Sequence, residues 1–225
     1  MILSHDWRFI HLKTRKTAGT SVELSLSALC GPLDIITPTW WEEEATLRLG
    51  RPPQNYIRGH ASRLRPDGLP EPELAKDYYN HMPAALVRKY IGRRLWRRYR
   101  KVAFVRNPWD REVSRFFWRT KGRAEHSPDG FRKFIMRKQI DDDWSIISID
   151  GTLALDFVGR YESLEDDFAK LLTELGYKKS VPLARAKMGF RSTEERDYRP
   201  FYDDETRELV AQAHAPLIAA FGYTF

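Results

Sequence analysis

Residues 7–31, WRFIHLKTRKTAGTSVELSLSALCG, constrain the fold more than any other stretch. Trp7–Leu12 is an apolar run with the length and bulk of a buried strand. A basic turn follows. Val22, Leu26 and Leu29 then recur at helical spacing up to Gly31, with Ser or Thr near the helix start. A strand that empties through a short loop into a helix needs a sheet beside it and a helix folded back over that sheet. A second unit of this kind comes later. KVAFVRN (101–107) reads as a buried strand, and Pro108 then sits in the first turn of the helix WDREVSRFFWRTKG.

The rest of the chain extends the alternation. Pro83–Arg100 has a helical apolar face that includes Leu86, Val87, Tyr90, Leu95 and Trp96. DGFRKFIMRKQI predicts a helix, LALDFVGRYESL a strand, and LEDDFAKLLTELG another helix. DDETRELVAQAHAPLIAAFG predicts a last helix that Pro216 kinks or interrupts. PTWWEEEATLRLG can hold a short helix, and the Pro- and Gly-rich remainder of residues 32–80 reads as a surface excursion suited to substrate contacts. The expected fold class is α/β, a three-layer arrangement with a central, mainly parallel sheet flanked by helices. No repeat or linker divides the 225 residues, so one domain is expected.

Charge narrows the partners. The formal net charge is +7 and the pI about 9.5, which favours anionic ligands. Residues 88–101 carry eight Lys or Arg and no acid, either a solvated helix face or a track for an anionic acceptor or cofactor. The lone Cys30 forms no intrachain disulfide and reads as a buried structural thiol in a reducing compartment. No apolar run is long enough to span a membrane, and MILSHDWRFI is too short and polar for a signal peptide, so a cytoplasmic protein is expected.

The basic turn has the chemistry of an anion site. A helix N-terminus presents unpaired N–H groups, Gly19 permits close backbone approach, Thr17, Thr20 and Ser21 carry hydroxyls, and Lys16 reaches as a point charge. The turn lacks the Gly-x-x-x-x-Gly-Lys-Ser/Thr spacing of a nucleoside triphosphate loop. An ordinary capped helix behind a basic turn would show the same residues. Arg106, at the end of the second strand, and Ser114, on the next helix, add a second anion site at a neighbouring strand end. Together the two suit a ligand with phosphates at both ends.

KTRKTAGTSVE resembles the 5′-phosphosulfate loop of sulfotransferases that use 3′-phosphoadenosine 5′-phosphosulfate (PAPS). VAFVRNPWDREVSRFFW resembles the 3′-phosphate motif of that family's carbohydrate branch. FVGRYESLEDDFAKLL and the C-terminal YDDETRELV and FGYTF look like its later blocks, in the same order; residues 32–80 are not covered. The resemblance implies a P-loop-like fold, PAPS as sulfuryl donor, adenosine 3′,5′-bisphosphate (PAP) as product, no metal, and a hydroxyl acceptor, a carbohydrate or a small molecule. It implies that Lys16, Thr17, Gly19, Thr20 and Ser21, with Arg15 and Ala18 in the same loop, hold the 5′-phosphosulfate, Lys16 acting catalytically. Arg106 and Ser114 would hold the 3′-phosphate. Arg191, Ser192 and Thr193 sit where the family places a further cofactor loop. Arg15 stands where the family usually has Pro and adds a cation at the mouth of the site.

Transfer to a hydroxyl needs a base, and His is the usual choice near neutral pH. His81, in YYNHMPAALVRKYIG, stands at about the position of the family's basic His; His60, in IRGHAS, is the rival. His11 lies within a strand, and His5, His126 and His214 read as surface or structural residues. The acidic runs Glu42–Glu44 and Asp141–Asp143 read as solvated faces, and no Cys/His cluster has metal-ligand spacing. Two other classes compete. A nucleotide-dependent phosphotransferase of P-loop type lacks its triphosphate spacing and a clear magnesium carboxylate. A non-catalytic basic nucleotide- or nucleic-acid-binding protein leaves the paired phosphate motifs unexplained.

Overall fold

The computed structural model describes residues 1–39, 47–57, 78–120, 126–137, 140, 143–186 and 197–225. Its strands are β1 (Ile2–Ser4), β2 (Phe9–His11), β3 (Ile35–Ile36), β4 (Arg100–Val105), β5 (Ser148–Ile149), β6 (Thr152–Leu153) and β7 (Phe157–Arg160). The helices are α1 (Gly19–Leu26), α2 (Ala84–Arg98), α3 (Pro108–Thr120), α4 (Pro128–Met136), α5 (Trp144–Ile147), α6 (Leu164–Glu174), α7 (Asp204–Ala213) and α8 (Ala215–Phe221). The main sheet has the order β3-β1-β2-β4-β7, and β5 and β6 form a separate hairpin. β2 pairs parallel with β4, and β4 with β7. β1 is antiparallel to both β2 and β3, so β3 points the same way as β2 and β1 opposes the rest. The fold is therefore mixed α/β with a mostly parallel central sheet, as the alternation predicts.

Two-residue periodicity sends each strand's side chains to opposite faces. Ile2, Phe9, Val102 and Phe104 pack on one face with Val22 and Leu26 of α1 and Phe168 and Leu171 of α6. Leu3, Ile10, Ala103 and Val105 pack on the other with Val87 of α2, Val113 and Phe117 of α3, Phe131 of α4 and Val210 of α7. Burying one such Phe contributes about 1.5–3 kcal/mol. Gly159 of β7 exists for this packing, since a Cβ there would lie 2.3 Å from Phe104 Cε1.

Several local expectations change. The first strand is shorter than Trp7–Leu12 and is preceded by β1, whose three residues are too few to show a period. α2 is broken at Gly92, which takes φ 80° and ψ 153°; a side-chain pattern does not reveal a backbone break. The last helix divides at His214 into α7 and α8, with Pro216 in the first turn of α8. α3 begins at Pro108, and Asn107 Oδ1 accepts the Trp109 N–H at 3.0 Å. Most of PTWWEEEATLRLG lies outside the described residues. Among the described residues no helix is long and apolar enough to cross a membrane.

Candidate functional site

The C-terminal ends of β2 and β4 open into one cleft of about 1150 Å³, lined by both sequence motifs. Lys16, Ala18, Gly19, Thr20 and Ser21 stand on one wall, and Arg106 and Ser114 on another. His81, with Asn80 and Thr39, lines the same cleft.

The turn from β2 into α1 has the backbone of an anion nest. Lys16 and Ala18 both adopt left-handed conformations, φ 61° and 57°, alternating with Thr17, which does not. Such alternation points successive N–H groups into one concavity. Ala18 is the N-cap of α1 and offers no side-chain oxygen. An ordinary capped helix uses a Ser, Thr, Asp or Asn side chain to satisfy its first N–H groups. Here the first turn of α1 is left for an external acceptor.

The loop is held from behind. Thr14 Oγ1 donates to the Phe104 carbonyl and meets Thr17 Oγ1 at 2.8 Å. Thr17 is thus a buried brace of the loop and does not line the cleft, so its hydroxyl is no ligand donor as the loop stands. Ser21 Oγ accepts the Ala186 N–H at 3.2 Å, which brings residues 183–186 to the rim. The Lys16 ammonium lies 4.8 Å from the centre of the Trp118 ring. Arg15 turns its guanidinium to Asp143, 2.6 Å away.

Arg106 is 6% exposed and fixed on three sides. Its guanidinium stacks on Tyr161 at 3.7 Å, Nε donates to Asp110 at 2.7 Å, and Nη1 donates to the Lys16 carbonyl at 2.9 Å. The end of the guanidinium keeps further N–H donors for an anion, so a bidentate grip runs through the two terminal nitrogens and not through Nε. Ser114 lies two helical turns along α3 from Arg106, on the wall that also carries Asp110 and Trp118.

His81 has left-handed backbone, φ 63°, and its Nδ1 lies 2.9 Å from the Lys13 carbonyl. A carbonyl only accepts, so Nδ1 carries the proton and Nε2 keeps its lone pair. Burial pushes the imidazole down to about 4, and the nearby Lys13 charge adds to this. His81 is therefore neutral at pH 7, the form a base requires. Lys13 is itself held by Glu23 of α1, 2.5 Å away. Burial alone would raise that carboxyl, but Lys13 and its other cationic neighbours hold it well below the usual range.

The other described histidines have structural partners. His11 is fully buried beside Glu23, His5 meets the Tyr99 hydroxyl at 2.7 Å, His126 stacks on Phe117 at 4.0 Å, and His214 is buried against Glu112. The Cys30 thiol donates to the Leu26 carbonyl, and burial pushes it up to about 12. On α2, Arg93, Arg94, Arg97 and Arg98 are exposed, hold no ion pair among the described residues and do not line the cleft. His60, Glu42–Glu44, Asp141, Asp142, Arg191, Ser192 and Thr193 lie outside the described residues. Among the described residues no group of His, Cys, Asp and Glu is placed to hold a metal ion.

Sequence reasoning missed Asp110, Arg115 and Trp118 as cleft residues. A spacing of four residues from Ser114 signals Asp110 and Trp118, whereas Arg115, its direct neighbour, carries no such signal. It also took Asp143 as part of a solvated run, whereas that carboxylate is 1% exposed behind the loop. No local pattern announces this, because its partners are more than 30 residues away in sequence.

An uncharacterized protein of Archaeoglobus fulgidus is 33% identical over 100 residues, which span 42% of this chain and 82% of that one. No solved structure matches. A model described as the sulfotransferase family matches residues 1–220, which include both strand-end motifs and His81. With nearly its whole length matched, the chain belongs to the sulfotransferase family.

Proposed function

We propose that residues 1–225 form one sulfotransferase domain of P-loop-like type that uses PAPS as donor and a hydroxyl of a carbohydrate as acceptor. The observation that carries this reading is the uncapped α1, with its nest at Lys16–Ala18, facing the same cleft as Arg106. One anion site at each of two neighbouring strand ends fits a nucleotide with phosphate on both the 5′ and 3′ sides.

The residues fit the donor as follows. Arg15 and Lys16 with the backbone of Ala18 and Gly19 and the hydroxyls of Thr20 and Ser21 would hold the 5′ end. Thr17 would act through its backbone. Arg106 and Ser114 would hold the 3′-phosphate; Arg191, Ser192 and Thr193 keep the role that the family resemblance implies. PAPS supplies an activated sulfuryl group attached to a phosphate oxygen. Lys16 and the loop N–H groups oppose the negative charge that grows on that oxygen, and such preorganised donors act most strongly in a site that excludes water. His81, neutral and with Nε2 unprotonated, takes the proton from the acceptor hydroxyl. Thr39 lines the cleft beside His81, and the Asn80 amide, which accepts from Thr37 and donates to the Pro38 carbonyl, braces that rim.

Calorimetry with PAP and with ATP tests the reading. Tight PAP binding that does not require magnesium supports it. Failure to bind PAP, or preference for magnesium-ATP, overturns it. Sulfate-transfer assays of His81→Ala beside His60→Ala decide the base, and full activity in both removes each from the mechanism.

A further inference from the structure

We infer that Asp143 and Arg111 are positioning residues that set the direction of the phosphate loop's amides. The inference rests on the reading that the cleft holds a nucleotide with phosphates at both ends. Neither residue lines the cleft, and both are 1% exposed.

Two guanidinium groups draw consecutive loop carbonyls. Arg111 Nε donates to the Arg15 carbonyl at 3.2 Å, and Arg106 Nη1 to the Lys16 carbonyl at 2.9 Å. The peptide bonds of this loop are trans, and across a trans peptide the C=O and the next N–H point in opposite directions. Fixing the Arg15 carbonyl on buried Arg111 therefore aims the Lys16 N–H the other way, toward the cleft, while Arg106 fixes the peptide that follows. The left-handed backbone of Lys16 is the conformation this aiming requires, and for a residue with a Cβ it is costly unless the surroundings enforce it.

Asp143 locks the arrangement. Its Oδ2 accepts the Arg15 N–H at 2.7 Å and lies 3.1 Å from Arg111 Nη2, while Oδ1 accepts Arg15 Nη1 at 2.6 Å. One carboxylate thus joins the loop backbone, the loop cation and the arginine that holds the loop carbonyl. It also fixes the Arg15 side chain at the rim of the loop through the ion pair. Arg111 is held in turn by Glu112 at 2.8 Å and faces His214 at 3.2 Å. The device ties the N-cap position of α5 and α3 to the turn after β2.

The test compares two probes that differ only at the 5′ end, PAP and adenosine 3′-monophosphate, by calorimetry on wild type and Asp143→Ala. Loop positioning predicts that the variant loses about tenfold in PAP affinity, the scale of one misaligned charge-assisted contact, with unchanged affinity for the 3′-monophosphate. Sulfate transfer should fall about 10²-fold, as expected for a small misplacement of a reacting group. Equal losses for both probes show a purely structural role and overturn the inference, as does no loss for either. Wild type that binds neither probe overturns the donor reading itself, and with it this inference, before any variant is compared. If Asp143→Ala does not fold, Asp143→Asn is read in the same way. It keeps one acceptor oxygen without the charge, and the PAP-selective loss should persist at about threefold.

Discussion

Lowering the pH titrates His81, and its surroundings set where. Burial and the Lys13 charge bring the imidazole from its ordinary 6.5 to about 4. At pH 5.5 a group titrating at 4 is about 97% neutral, against about 9% for one titrating at 6.5. If His81 is the base, kcat/KM should hold its plateau through pH 5.5 and fall only near 4. The His81 Cε1–H resonance, assigned by its loss in His81→Gln, should move with the same midpoint and needs no acceptor. His81→Gln should cost about 10²–10⁴-fold in transfer and remove that limb of the profile. Stability should follow the same group. Its folded value lies below its unfolded one, so the stability held by neutral His81 is complete above pH 6.5 and lost as the pH falls toward 4. The loss amounts to roughly 3 kcal/mol, and His81→Gln should flatten that part of the stability curve. A midpoint near 6.5, by either resonance or rate, refutes the placement of His81 in a desolvated, Lys13-facing position.

Other expectations concern the loop, the second strand end and the core. Lys16→Ala should lower transfer about 10²–10³-fold, the usual cost of one preorganised donor; wild-type turnover would remove Lys16 from the chemistry. Arg106→Ala should weaken PAP binding about 10–100-fold by calorimetry, and because Arg106 also holds the Lys16 carbonyl, kcat should drop as well. An unchanged kcat would show that the Arg106–Lys16 contact does not matter for the chemical step. Gly159→Ala should destabilise the fold by about 1–3 kcal/mol in thermal melts, since its Cβ would meet the buried Phe104 ring; an unchanged midpoint would mean the ring moves freely.

Much of this protein can be read from local pattern. The two strand–loop–helix units, the basic turn at residues 15–21 that opens α1, and Arg106 at a strand end depend on short-range chemistry, and neighbouring residues carry them. The span of α2 and the interruption beside Pro216 are of the same kind, since helical spacing and the missing proline N–H are local facts. Antiparallel β1, the Gly92 break and the β5–β6 hairpin were not legible, because very short elements show no period and a backbone break leaves no side-chain signature.

What tertiary structure alone decided lies behind and between the motifs. The sequence placed Thr17 among the ligand hydroxyls, and packing turned it inward onto Thr14. It put Asp143 on a solvated face, and the fold buried it against Arg15 and Arg111. It left His81 a candidate by position; the approach of the Lys13 carbonyl, 68 residues away in sequence, gave it a tautomer, and burial, with the Lys13 charge beside it, depressed its pKa. The physical reason is common to all three. Burial, desolvation and hydrogen-bond direction are set by atoms distant in the chain, whereas the sequence determines which groups are available to be placed.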